Sequence, residues 1–208
     1  MTTNQLDLFG QPQPTHNPLI QLSDAELLYY PAFFGKPEAD QLLQSLLATI
    51  DWQQDRIKLY GKEIPLPRLS AWYGDDNKPY TYSGIKLTPK PWTAELLRIK
   101  ERIEGVAGVQ FSSVLLNRYR DGKDYISWHT DAEKELGRNP VIGSVNFGAT
   151  RRFQLRRIDD HVVKQEVALG HGTLLVMKGE TQHFWQHQVP KTAAPIGERL
   201  NLTFRVIQ

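Results

Sequence analysis

From residue 111 to its end, the chain is cut into short runs rich in Val, Leu and Phe, separated by Gly, Asn and Asp. Runs of that length between turn residues belong to stacked β-layers rather than to helical bundles. Residues 114–119, 141–147, 152–156, 172–177 and 200–206 are therefore predicted strands. The first half reads differently. Ala39, Leu42, Leu43, Leu46, Leu47 and Ile50 recur at the helical period, which predicts an amphipathic helix over 38–50. A second helix is predicted from Thr93 to Gly105, with Leu96, Leu97, Ile99 and Ile103 as its apolar positions. Residues 55–84, rich in Gly, Pro, Tyr and charge, read as loops with short strands. Helices followed by a run of strands predict an α+β domain built on a β-sandwich or jelly roll.

A chain of 208 residues suits one domain with a substantial core. Residues 1–22 hold Gly10, Pro12, Pro14 and Pro18 among Gln and Asn and read as a flexible arm, leaving 23–208 as the domain. The net charge of +2 excludes a bulk polycation, so nucleic-acid contact would need local clusters. Arg118, Arg120 and Lys123 form one cluster, and Arg151, Arg152, Arg156 and Arg157 another; a solvated surface is the competing reading of each. The absence of cysteine excludes disulfides, thiolate metal sites and Cys nucleophiles. No basic-then-apolar leader is visible, and apolar stretches such as 173–177 are too short to span a bilayer. A soluble intracellular monomer with no membrane partner is expected.

The chemistry concentrates in His129-Thr130-Asp131 and a distant His187. Two imidazoles and a carboxylate can fill one face of an octahedral Fe(II) and leave the other face open. In an extended segment His129 and Asp131 point to one side, and His187 must arrive from a facing strand. His16, His161, His171 and His183 are read as structural hydrogen-bonding residues, with His183 the competitor for the distal ligand. Arg199 and Arg205 stand an even number of residues apart, which puts both on one face of a strand. Paired guanidinium groups suit a dicarboxylate such as 2-oxoglutarate. A cross-strand salt bridge to an acid such as Glu198 is the alternative.

Further motifs accompany these residues in order: Asn117-Arg118-Tyr119-Arg120-Asp121-Gly122, Ser144-Val145-Asn146-Phe147-Gly148, His187-Gln188-Val189-Pro190 and the closing segment from Arg199 to Arg205. Together they resemble the AlkB family of nucleic-acid dealkylases, from about residue 65 to the C-terminus. The resemblance implies a double-stranded β-helix (jelly roll) with N-terminal helices and a nucleotide-recognition lid at about 55–90. It implies Fe(II) on His129, Asp131 and His187, with 2-oxoglutarate and O₂ as co-substrates. The His-x-x-Pro context favours His187 over His183. Arg199 with Thr203 would hold the distal carboxylate of 2-oxoglutarate. Arg205 and Asn117 would sit near its metal-bound end, with the Tyr119 hydroxyl and Asn201 completing the site. The implied reaction is oxidative demethylation of 1-methyladenine- and 3-methylcytosine-type lesions in DNA, releasing formaldehyde, succinate and CO₂.

Tyr73-Gly74-Asp75 and Tyr80-Thr81-Tyr82-Ser83-Gly84 resemble the lid of DNA-acting members. Tyr82 would stack on a flipped base with His129 on its other face, and Tyr80 would hydrogen-bond at the pocket edge. Trp72 and Tyr73 are expected only to cover the barrel. Leu59-Tyr60-Gly61 matches the short wedge of duplex-acting relatives, with Tyr60 and Gly61 at its tip and Arg68 close behind to meet a phosphate. One position departs from the pattern. Many relatives carry an acid directly after the ligand Asp, whereas here Ala132 stands there and Glu133 follows to take over base reading. RNA demethylation by the same chemistry and a non-catalytic nucleic-acid- or clamp-binding module are the competing functions. Intact ligands and the arginine pair weigh against the second, and the wedge favours duplex DNA. In the arm, Gln5-Leu6-Asp7-Leu8-Phe9 resembles the pentapeptide by which bacterial replication and repair proteins dock on the sliding clamp. Leu8 and Phe9 would fill an apolar pocket beside Leu6, and Gln5 would contact its edge; a strap packed on the protein's own surface is the alternative. Clamp docking implies a bacterial, cytoplasmic, nucleoid-associated enzyme.

Overall fold

The structure is a computed structural model, and it describes residues 18–59, 62–75, 80–82, 85–87 and 89–208. Gln5, Leu6, Leu8, Phe9, Tyr60 and Gly61 lie outside the described residues, and of Tyr80 and Tyr82 only the backbone is described.

The described residues do not begin with helices. Strands β1 (Leu19–Leu22) and β2 (Ala25–Tyr30) form a hairpin before the first helix. Residues 19–22, expected to belong to the arm, are therefore part of the sheet. The tight turn at Ser23 and Asp24 explains it: Asp24 takes φ 59°, a conformation short polar side chains tolerate. Helix α1 (Lys36–Thr49) starts with a proline at its first turn and buries Ala39, Leu42 and Leu46. The region expected to be lid is divided. Strands β3 (Arg56–Leu59) and β4 (Lys62–Pro65) form one ribbon, and β6 (Tyr80–Tyr82) and β7 (Ile85–Leu87) another. Between them β5 (Leu69–Gly74) is a core strand, with Trp72 and Tyr73 buried as covering residues. Helix α2 (Ala94–Ala107) is capped by the Thr93 side chain and passes through Gly105. It stops at Gly108, where φ is 74°, because a left-handed residue closes the last turn.

The remaining strands are β8 (Ser113–Tyr119), β9 (Ile126–His129), β10 (Ile142–Gly148), β11 (Arg151–Arg157), β12 (Lys164–Leu169), β13 (Thr173–Lys178), β14 (Trp185–Val189) and β15 (Arg199–Arg205), with a short helix α3 (Thr181–Phe184) before β14. Apart from the β11–β12 hairpin, they alternate between two sheets. The major sheet runs β1-β2-β13-β10-β15-β8-β5 and the minor sheet β12-β11-β14-β9. All pairings between strands of these sheets are antiparallel. This is the expected jelly roll. One apolar cluster, including Leu46, Ile99, Ile103, Val145 and Phe204, lies between the helices and the major sheet. A second, including Leu27, Phe153, Leu155, Met177 and Trp185, fills the space between the sheets. Burying each such side chain contributes about 1.5–3 kcal/mol. The major sheet is thus covered on both faces, and the cavity between the sheets opens where the inter-sheet cluster ends.

Candidate metal and co-substrate site

Strand β9 carries the first ligand and β14 the last. His129 stands directly opposite His187, while Ile126 stands opposite Val189. Two residues of β9, Ser127 and Trp128, thus face the single Gln188 of β14, a bulge. In an unbroken strand residues three apart face opposite ways. The bulge turns both Ile126 and His129 into the inter-sheet cavity and leaves Trp128 outside, beneath the Arg156 guanidinium at 4.3 Å from its ring centre.

Asp131 lies beyond the last rung of β9. Its carboxylate and the two imidazoles place one donor atom each within 4.8 Å of one another. The imidazole rings are 4.2 Å apart between centres. His129 Nδ1 is 2.8 Å from the Ser127 carbonyl, which can only accept, so Nδ1 carries the proton and Nε2 is left for a metal. Burial holds His187 down at about 3, helped by the neighbouring His129 and Arg205 and opposed by Asp131. His129 is lowered by burial as well. Both rings are neutral, the state that ligates. Burial alone would raise Asp131, but Arg205, His187 and His129 outweigh it and hold the carboxyl at about 2. Arg205 Nη2 donates to Asp131 Oδ1 at 2.8 Å.

Sequence reasoning did not mark Gln182. Its side chain is buried in α3, and its Oε1 accepts the Asp131 backbone N–H at 2.9 Å. That N–H has left the β9–β14 ladder, so the glutamine replaces a strand partner. Helix α3 is itself fixed, because the Thr181 hydroxyl donates to the Lys178 carbonyl and accepts from the Glu26 N–H.

Asn117, Tyr119, Asn201, Thr203, Arg199 and Arg205 line the same cavity as the three ligands. Arg199 is 2 % exposed, and its Nη2 donates to Asn146 Oδ1 at 2.5 Å. Its Nε and Nη1 are buried without a well-formed hydrogen bond among the described residues. The guanidinium carbon is 4.9 Å from the Tyr119 ring centre. Burial lowers Arg199 to about 10, with Arg151 adding to the effect and Tyr119 opposing it. A buried cation with unused donors and no salt bridge among the described residues is a receptor for an anion. Glu198 does not fill that role, since it pairs with Arg118 at 2.6 Å. Its carbonyl also lies so close to Gly148 that a Cβ there would stand 2.3 Å away, which fixes the start of β15 against the end of β10. Thr203 donates to Asn201 Oδ1, and Asn201 to Ser144 Oγ, forming a buried polar floor. Ser144 and Asn146, noted only as motif residues, are therefore part of the site.

Other expectations are redistributed. Arg68 is buried and gives Nε to Asn117 Oδ1 at 2.8 Å, so it supports the cavity wall instead of meeting a phosphate. Glu133 is partly buried at the start of the turn Lys134–Leu136, outside the lining of the metal cavity. His183 is exposed and contacts Asn139, so the competitor ligand is not in the cluster. His171 accepts from the Gly148 N–H. Of the second arginine cluster, Arg151 is buried and donates to the carbonyls of Asp121, Asp124 and Pro190, and Arg157 pairs with Asp24 and Asp159.

A family model described as the 2OG-Fe(II) oxygenase superfamily matches residues 26–205. The human DNA oxidative demethylase ALKBH2 is 40 % identical over 188 residues, covering 86 % of this chain and 72 % of that protein. The chain belongs to the AlkB family of 2OG-Fe(II) oxygenases. Rat alpha-ketoglutarate-dependent dioxygenase alkB homolog 3 is 43 % identical over 187 residues. The match covers 86 % of this chain but 63 % of the rat protein, so the chain spans under two thirds of that relative's length. The solved structure of OsALKBH1 superposes with a TM-score of 0.61 at 18 % identity, covering 91 % of this chain and 100 % of that one, a likeness of fold. Membership implies Fe(II), 2-oxoglutarate and O₂. The residues present fit the metal and the co-substrate: a two-imidazole, one-carboxylate donor set for the first and, for the second, a buried guanidinium without a counter-ion among the described residues.

Proposed function

We propose that this AlkB-family protein is an Fe(II)/2-oxoglutarate-dependent dioxygenase that removes N-methyl groups from DNA bases of the 1-methyladenine and 3-methylcytosine type. One observation carries the reading: three side chains able to ligate a metal and a buried arginine with no salt bridge among the described residues face a single cavity between the sheets. Two similar proteins, the ALKBH2 relatives of human and cattle, are named DNA oxidative demethylases. Bound Fe(II), 2-oxoglutarate and O₂ supply the oxidant that hydroxylates the methyl carbon, after which formaldehyde leaves and the base is restored.

The chain's own residues supply position and charge. Arg199, with Thr203, receives the distal carboxylate of 2-oxoglutarate, and Tyr119 backs the guanidinium. Arg205 keeps Asp131 ionised and fixed beside the two imidazoles that would hold the metal with it, while Asn117, held by Arg68, and Asn201 would line the ketoacid end. Tyr82 stacks on the flipped base, Tyr80 binds its edge and Tyr60 with Gly61 forms the wedge. Gln5, Leu6, Leu8 and Phe9 dock on a bacterial sliding clamp, which places the enzyme in the bacterial cytoplasm at the nucleoid. The test is anaerobic reconstitution with Fe(II) and 2-oxoglutarate, admission of O₂, then mass spectrometry of oligonucleotides carrying single methyl lesions in DNA and RNA. Loss of the lesion with equimolar succinate is expected on DNA, and none with His187→Ala. Arg199→Ala should raise the KM for 2-oxoglutarate about a hundredfold. Turnover on RNA alone, or on neither polymer, would sink the proposal.

A further inference from the structure

Two buried arginines stand on one face of β15, and their partners differ in charge. Arg205 donates to a carboxylate, Asp131 Oδ1, at 2.8 Å. Arg199 donates to a carboxamide, Asn146 Oδ1, at 2.5 Å. The two arginines are 3 % and 2 % exposed, so neither is screened by solvent. A carboxylate neutralises the guanidinium it holds. A carboxamide holds it and leaves the charge in place.

Register brings Asn146 to this position. On β10 the residue directly opposite Arg199 is Gly148, and Asn146 lies on the diagonal, opposite Asn201. Opposed side chains of an antiparallel pair share a face, and a diagonal neighbour is within reach of a long side chain. Gly148 has no side chain to fill the place opposite, so the guanidinium can turn to the asparagine. The orientation of the amide is fixed by its neighbours. Asn146 Nδ2 donates to the Ser144 carbonyl at 3.2 Å, and Oδ1 accepts from Asn201 Nδ2 at 3.2 Å as well as from Arg199. A guanidinium only donates, so the oxygen must face it. Asn146 is itself buried, and its one oxygen ties together two residues that line the cavity, Arg199 and Asn201.

We infer that Asn146 is the positioning residue for the distal carboxylate of the co-substrate: a neutral acceptor that aims Arg199 and keeps its charge for the ligand. This rests on the proposed seat of 2-oxoglutarate at Arg199, and it gives a role to a side chain that touches the arginine rather than the ligand. Asparagine and aspartate have nearly one shape, so Asn146→Asp changes the charge and little else. A carboxylate at 146 would pair with Arg199 as Asp131 pairs with Arg205. The ligand's carboxylate would then meet a neutral pair.

The test uses the Co(II)-loaded full chain without O₂ and follows the visible absorption as ligand is added. Two probes are compared: 2-oxoglutarate, and pyruvate, which has the ketoacid end but no distal carboxylate. Asn146→Ala should weaken 2-oxoglutarate binding about tenfold, and Asn146→Asp about a hundredfold. Both variants should bind pyruvate as wild type does, because pyruvate offers Arg199 nothing. The greater loss in the isosteric aspartate is the signature of charge, since a packing role would make alanine the worse of the two. Wild-type affinity for 2-oxoglutarate in either variant overturns the inference. So does a greater loss in alanine, or an equal loss of pyruvate, either of which would make Asn146 a packing residue. Arg199→Ala separates the two readings: should it also bind 2-oxoglutarate at wild-type strength, the proposed seat of the co-substrate falls as well.

Discussion

Asp131 is the only anionic donor in the ligand set, and its main chain and carboxylate are anchored separately, by Gln182 and Arg205. Gln182→Met keeps the length and burial of the side chain but offers the Asp131 N–H no comparable acceptor. It should weaken Co(II) binding, followed by visible absorption, about 10–100-fold. Equal affinity in a folded variant would make the glutamine merely structural. The same cluster sets the acid response of the metal-free protein. The His187 ring takes up a proton near 6.5 when unfolded but only at about 3 when folded. Between those values the unfolded chain binds more protons, so stability rises with pH and falls on acidification, by at most about 1.4 kcal/mol per pH unit. Asp131, at about 2 against 3.8, adds stability that is present above 3.8 and lost below it. The urea midpoint should therefore drop steadily from about pH 6.5 to 4, and His187→Gln should flatten that drop; a flat wild-type curve would contradict it. The ligands could be read from sequence because their types and spacing are dictated by the metal. Gln182 could not, because a backbone N–H asks only for some acceptor and leaves no pattern. Arg68 misled for the opposite reason: an arginine near a loop looks the same whether it points out or donates inward to Asn117.

At the scale of elements, the bulge in β9 decides where His129 points. Deleting Ser127 would restore regular alternation and turn either Ile126 or His129 out of the cavity. Far-ultraviolet circular dichroism should stay close to wild type while Co(II) absorption disappears. Retained metal binding would mean that the local backbone, not the bulge, orients the ring. The two long helices and the five expected strands were legible because their apolar periods are strong. Helix α2 overran its expected end because Gly105 has open space around it, whereas Gly108 meets the need for a left-handed residue. The first hairpin and strands β9, β12 and β14 were not assigned. They are short, and polar outer positions such as Gln186 and Gln188 interrupt them, so their membership is set by partners far along the chain.

At the scale of the molecule, the arm and the barrel are expected to act independently. A peptide of residues 1–12 should bind purified bacterial clamp with about micromolar strength. Leu8→Ala with Phe9→Ala should remove that binding and leave turnover on free oligonucleotides intact. A fall in thermal stability of the double variant would favour a strap instead. The barrel holds a second kind of independence. Where the chain leaves the major sheet at Gly74 and returns at Lys90, both ends are tied. The Gly74 N–H donates to the Lys90 carbonyl, the Lys90 N–H to the Trp72 carbonyl, and Trp92 Nε1 to Asp75. Residues 75 and 90 are thus two fixed points of the barrel. Lengthening a segment between two fixed points costs little, about 0.6 kcal/mol for each doubling. Changes of length or sequence between those two points should therefore leave the strands that carry His129 and His187 in register, as in an exchangeable cassette.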